Sequence, residues 1–185
     1  MKKPLLIATL GHPGSGKTYF SERLAKEYNL VHLSRDRFRH EAIPNPTFQP
    51  EEKDSMSRAL GWITEEFLMK GIGVLNDGNY NKKKYRAALT KIAKKAGALY
   101  VLVHIITPIE QAENRLLQRQ KIKSKHKQKY YHPSDVSIAR MLMNETEYPT
   151  KSESVIEIDG SQPFSKQLLT FKKALAHKLK LEQNQ

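Results

Sequence analysis

The chain predicts an α/β domain of the three-layer α/β/α kind, a five-stranded parallel sheet between two layers of helices. Three observations carry this. Short apolar runs alternate with amphipathic segments along the 185 residues, the pattern of repeated strand–helix units. Two of the runs, Leu5–Leu10 and Ala98–Ile106, are apolar almost throughout, as strands buried on both faces must be. The first leads into Gly11-His12-Pro13-Gly14-Ser15-Gly16-Lys17-Thr18 and then an amphipathic stretch, the order strand, glycine-rich turn, helix.

Composition bounds the rest. At 185 residues and 38% hydrophobic content, one domain with a substantial core is expected, over residues 1–182, with a frayed tail at 183–185. The absence of cysteine rules out a disulfide framework or a thiolate metal site. Met1-Lys2-Lys3 and the run after it are too short for a signal peptide, and no apolar stretch approaches the roughly 18 residues of a membrane span. The expectation is a soluble, cytoplasmic protein with no membrane partner. The net charge of +13 attracts polyanions such as nucleic acid or nucleotides; a lysine-rich solubilising surface accounts for it as well.

The octapeptide reads G-x-x-x-x-G-K-[ST], the phosphate-binding P-loop. Its residues Gly11, Pro13, Gly14, Ser15 and Gly16 form a turn whose N–H groups point at one anion. The helix beginning there, with Phe20, Leu24 and Tyr28 at helical spacing, adds its positive end. Lys17 would reach the β- and γ-phosphates and the Thr18 hydroxyl would hold Mg²⁺. ATP and Mg²⁺ are the ligands this implies.

Val31-His32-Leu33 is a short second strand followed by Ser34-Arg35-Asp36-Arg37-Phe38-Arg39. Residues at the carboxyl end of a strand face the ligand crevice in open α/β sheets. Asp36 is placed there to take the proton of an acceptor hydroxyl; alternatively Ser34 or Asp36 caps the helix. Arg39 shares a helical face with Asp36. Residues 42–50 hold three prolines and form a loop, either part of an acceptor pocket or a plain connection. A helix follows from Glu51 to Lys70, closed by Gly71.

Ile72–Asp77 is the third strand. An apolar strand ending in an acid has the form of a Walker B element, which assigns Asp77 to Mg²⁺; Asp77-Gly78 also reads as a turn. Asn79 follows on the crevice side. A basic helix over 82–96 leads to the fourth strand, Ala98–Ile106. Thr107-Pro108-Ile109-Glu110 reads as a helix start with Thr107 at the N-cap. That helix carries Arg115 and Arg119 on one face. Lys121–Lys129 is charged, without an acid, and reads as a mobile lid or loop, or else a solvated charge run. A short helix over 136–146, a fifth strand at Val155–Gly160 and a last basic helix over 164–181 complete the chain.

These residues resemble the P-loop kinases related to the 5′-kinase domain of phage polynucleotide kinase, in the wider group that includes zeta toxins and chloramphenicol phosphotransferase. The resemblance rests on four motifs in order: Gly11–Thr18, Arg35-Asp36-Arg37-Phe38-Arg39, Asp77-Gly78-Asn79, and the pair Arg115 and Arg119. It implies a sheet ordered 2-3-1-4-5 and a lid at about 112–132. It also implies Asp36 as general base, Arg39 and Asn79 near the acceptor, and Arg115 and Arg119 on the transferring phosphates. The activity it implies is transfer of the γ-phosphate of ATP to a hydroxyl, with the 5′-OH end of a nucleic acid as the favoured acceptor. A small-molecule acceptor such as a nucleoside, sugar or antibiotic, or a non-catalytic ATP-binding module, is the alternative.

Overall fold

The computed structural model describes residues 3–125, 136–150, 153 and 155–183. Five strands, β1 (Leu5–Leu10), β2 (Val31–Ser34), β3 (Val74–Asp77), β4 (Leu99–Ile106) and β5 (Val155–Asp159), form one sheet in the order β2-β3-β1-β4-β5. Every pairing is parallel. Seven helices are described: α1 (Lys17–Glu27), α2 (Arg35–Ala42), α3 (Pro50–Met69), α4 (Lys83–Lys95), α5 (Ile109–Lys125), α6 (Val136–Asn144) and α7 (Phe164–Gln183). The 2-3-1-4-5 order and the three layers are those expected. No helix among the described residues is long and apolar enough to cross a membrane.

Strand residues alternate between two cores, as a period of two requires. Ile7, Leu75, Val101, Val103, Ile105 and Ile158 pack with Phe20 and Leu24 of α1 and Phe171 and Leu175 of α7. Leu6, Ala8, Leu10, Val74 and Leu102 pack on the opposite face with Leu68 of α3 and Leu89 and Ala93 of α4. Consequently the connections leaving β1 and β3 run to opposite faces. Between neighbouring strands this opens a crevice at their carboxyl ends, the place where such sheets bind ligands.

Two local expectations are corrected. Helix α5 starts at Ile109, not Pro108, with the first helical bond running from the Ala112 N–H to the Pro108 carbonyl. Thr107 is therefore not the N-cap; its buried hydroxyl donates instead to the Ser15 carbonyl at 2.8 Å. Residues 121–125 continue α5 as helix and do not form a loop. The rest of the expected lid, from residue 126 to 132, and residues 184–185 of the tail lie outside the described residues.

Candidate active site

The octapeptide joins β1 to α1 and is shaped by backbone contacts. Gly14 has φ +80°, and a Cβ there would lie 2.4 Å from the Ala112 carbonyl oxygen of α5; only glycine fits both demands. Gly16 is the N-cap of α1, where no side chain caps the helix and no acid stands in the first turn. The unpaired N–H groups and positive end of α1 are thus open to an anion. Lys17 folds back over the loop and donates to the carbonyls of Gly11 (2.6 Å) and His12 (3.0 Å). Thr18 is exposed at the mouth of the crevice, and the hydroxyl of Ser15 is buried without a protein partner.

The side chains expected to surround the loop converge on Lys17. Burial lowers its ammonium from 10.5 to about 8, against the opposing pull of the Asp77 and Asp36 carboxylates, with the positive charge of Arg119 adding to the decrease. Register brings the two acids together: β2 and β3 pair Ser34 with Asp77, so Asp36, two residues on, lies in the first turn of α2 beside the end of β3. Ser34 caps α2 by accepting the Arg37 N–H at 3.3 Å, which frees Asp36 from that duty. Asp36 keeps a third of its side chain exposed and pairs with Arg39 at 3.4 Å.

Asp77 is buried, with the His32 Nε2 at 3.3 Å from its Oδ2. The turn after it is clamped by Thr9, whose hydroxyl donates to the Gly78 carbonyl (3.0 Å) and accepts the Gly78 N–H (3.2 Å). Asn79 has a buried side-chain oxygen with no protein partner. Arg115 and Arg119 part company despite sharing a face. Arg115 donates to the carbonyls of Gly14 (3.3 Å), Ser15 (3.4 Å) and Gly160 (3.0 Å), bracing the loop, while Arg119 reaches Lys17 through its field.

The residues fit a nucleoside polyphosphate with Mg²⁺. An uncapped helix end, a lysine whose ammonium has only carbonyls as bonding partners, and two orphaned buried oxygens all lack what such a ligand supplies. Thr18 and Asp77 would hold the metal. Among the described residues no group of three His, Cys, Asp or Glu forms a metal cage, and Mg²⁺ in phosphate sites needs only one or two protein oxygens.

Sequence reasoning missed several contributors. Thr107 and Gly160 support the loop from behind: a Cβ on Gly160 would lie 2.3 Å from the Thr107 hydroxyl and 2.4 Å from the Ser15 carbonyl. His12 places Nε2 at 3.0 Å from the Thr107 carbonyl. Glu52 reaches Arg39 from the far side of the proline loop, its Oε1 accepting the Arg39 Nε–H at 2.8 Å. Each acts through residues distant in sequence, so spacing along the chain carries no trace of it.

The Lys17 shift has a measurable consequence. Its folded value lies below 10.5, so the unfolded chain binds more protons between about pH 8 and 10.5, and this group's contribution to stability rises with pH across that window. A bound polyphosphate would restore the ammonium, so ADP affinity is expected to fall as the pH rises above about 8, with proton uptake on binding. Calorimetry in buffers of different ionisation enthalpy reads both, and Lys17→Met should abolish the uptake.

Solved structures share this fold across their length. The gluconokinase of Sinorhizobium meliloti 1021 superposes with a TM-score of 0.67 at 21% identity, covering 100% of this chain and 97% of that one. APS kinase CysC of Mycobacterium tuberculosis, solved with AMPPNP and APS, gives 0.65 at 17% identity, covering 94% and 98%. Kti12 of Chaetomium thermophilum, solved with ADP-AlF3, gives 0.72 at 19% identity, covering 92% and 97%. No curated protein matches the chain by sequence. The profile of an AAA domain family, AAA_33, matches residues 6–143 and so takes in the P-loop, Asp36, Asp77 and both arginines. The chain belongs to this AAA_33 family of AAA domains.

Proposed function

We propose that the protein is an ATP- and Mg²⁺-dependent kinase that phosphorylates a hydroxyl group of a small molecule. The observation that carries this is the convergence of Asp36, Asp77 and Arg119 on the Lys17 ammonium. A switch protein has use for the lysine and a metal acid, but not for a second carboxylate, part-exposed, at the acceptor side. Bound ATP with its metal supplies the phosphoryl group and spreads its charge. Asp36 takes the proton of the acceptor hydroxyl as its oxygen attacks. Lys17 and Arg119 hold the negative charge that develops on the transferring group, and Arg115 keeps the loop carbonyls from turning toward it.

The small acceptor is supported by the named gluconokinase and APS kinase among the structural relatives. The favoured expectation of a nucleic-acid 5′-OH end rests on the four motifs and the basic excess. Neither the family nor these relatives support it.

Labelled ATP incubated with sugars, gluconate, nucleosides, amino sugars and 5′-OH RNA and DNA oligomers tests the reading. Transfer to a small molecule is expected. Transfer to oligomers alone, with affinity collapsing between low and moderate salt as counterion release requires, would replace it with the polynucleotide reading. Nucleotide binding with no transfer to any acceptor would leave a non-catalytic ATP-binding module.

A further inference from the structure

The loop of residues 43–49 is built around one carboxylate. Glu52, in the first turn of α3, accepts the Thr47 N–H (2.5 Å), the Thr47 hydroxyl (3.1 Å) and the Phe48 N–H (3.1 Å) on Oε2. Its Oε1 accepts Arg39 Nε at 2.8 Å. Phe48 is held at φ +60°, a left-handed conformation that persists only when its surroundings fix it. In that conformation its ring lies 4.7 Å from the guanidinium carbon of Arg39. Arg39 is 6% exposed, and its Nη1 donates to Asp36. The guanidinium beside the candidate base is therefore shared by two carboxylates and covered by an aromatic ring. The neighbouring Arg35 is turned elsewhere, donating to the Lys53 carbonyl at 3.0 Å and standing 5.1 Å from the Tyr85 ring.

We propose that Glu52 sets the charge of the acceptor pocket: with Asp36 it over-neutralises Arg39, so the pocket selects a neutral polyhydroxylated acceptor, a sugar or polyol, over one carrying a phosphate group. This rests on the kinase reading above. Within this cluster one guanidinium faces two carboxylates, while the Lys17 ammonium lies on the donor side of Asp36. A phosphate-bearing acceptor meets like charge at the cluster. A neutral hydroxyl donates to Asp36 and accepts from Arg39 without that penalty. The charge on Glu52 persists at any working pH. Burial alone would raise its carboxyl, but the bonds from Arg39, Thr47 and Phe48 outweigh it and hold the group at about 2. The pocket contrasts with sites built to seize phosphate, in which the arginine fork is left free for bidentate contact.

The full chain loaded with ADP, so that the P-loop is filled, is titrated with inorganic phosphate while the Arg39 Nε–Hε signal is followed by NMR. The wild type is expected to show no saturable shift. Glu52→Gln keeps an oxygen for the Thr47 and Phe48 amides but removes the charge, and phosphate should bind at Arg39 at least about tenfold more tightly. Hydrogen exchange of those two amides reports whether the loop stays closed. If Glu52→Gln does not fold, Asp36→Asn removes the other negative charge and should give the same gain. A second arm compares transfer to glucose and glycerol with transfer to their phosphorylated forms. The neutral member of each pair should be favoured by kcat/KM, and Glu52→Gln should shrink that ratio about tenfold. Phosphate binding to wild-type Arg39 as tight as in the variants, or an unchanged ratio, overturns the inference. Absence of transfer to every acceptor, with the NMR result as expected, would sink the kinase reading and leave the pocket's charge preference standing.

Discussion

Asp36→Ala is expected to lower phosphoryl transfer by about 10²–10⁴-fold, the usual worth of a positioned general base. Affinity for ADP should stay within about twofold, because Asp36 stands on α2 and acts on the donor site only through the field at Lys17. Stability should change by no more than about 1 kcal/mol, since the side chain is part-exposed and its pairing with Arg39 is long. Single-turnover kinetics with labelled ATP, paired with calorimetric ADP titration, separates the two effects. An enzyme that transfers normally without this carboxylate has its base elsewhere.

Arg86→Ala is expected to destabilise the fold by about 3 kcal/mol, the lower end of the cost of breaking a buried ion pair. Arg86 is among the largest side chains with under 2% exposure. It donates Nε and Nη2 to Glu153 at 2.6 and 2.9 Å and Nη1 to the Tyr80 carbonyl at 3.1 Å. Truncation takes a donor from three acceptors, of which Glu153 Oε1 keeps the Thr150 N–H, and leaves a cavity. Arg86→Met combined with Glu153→Leu fills the space without charge and should recover most of the loss. Urea unfolding measures each variant. Its pH dependence adds a signature. The bonds from Arg86 hold the Glu153 carboxyl below its ordinary 4.5, so the pair contributes fully above that pH and its contribution is lost as the pH falls through the lower folded value. Arg86→Ala should flatten that acid limb.

The layers and the donor half of the site were legible because their determinants are local. A P-loop needs its residues consecutive, and an apolar run ending in Asp77 announces an acid at a strand end. Strand order came from the motif resemblance, since alternation of elements alone leaves several orders open. The acceptor half was less legible. The residues around Asp36 were visible, but nothing along the chain says that Glu52, beyond a proline loop, reaches back to Arg39. The pair Arg115 and Arg119 was seen as one unit from its spacing, whereas three loop carbonyls draw the first into a bracing role. Thr107 misled for a similar reason. Its sequence setting fits a cap, and a buried carbonyl on the P-loop competed for the same hydroxyl and won. Arg86 read only as one more base on an amphipathic helix, because burial of a charge is legible only once its partner, 67 positions on, is in place.

The seam behind the P-loop has a mechanical consequence. At Gly14 backbone rests on the backbone of Ala112, and at Gly160 the Ser15 carbonyl and the Thr107 hydroxyl bound to it leave no room for a Cβ. Side chains can change rotamer to take up slack; a carbonyl wedged against a Cα cannot. The seam is therefore a stiff bearing whose width is set by covalent geometry. Arg115 bolts the start of α5 to the fixed side of that bearing. Arg119 is four residues further along, about 6 Å beyond it by helical rise, and so lies clear of that bracing.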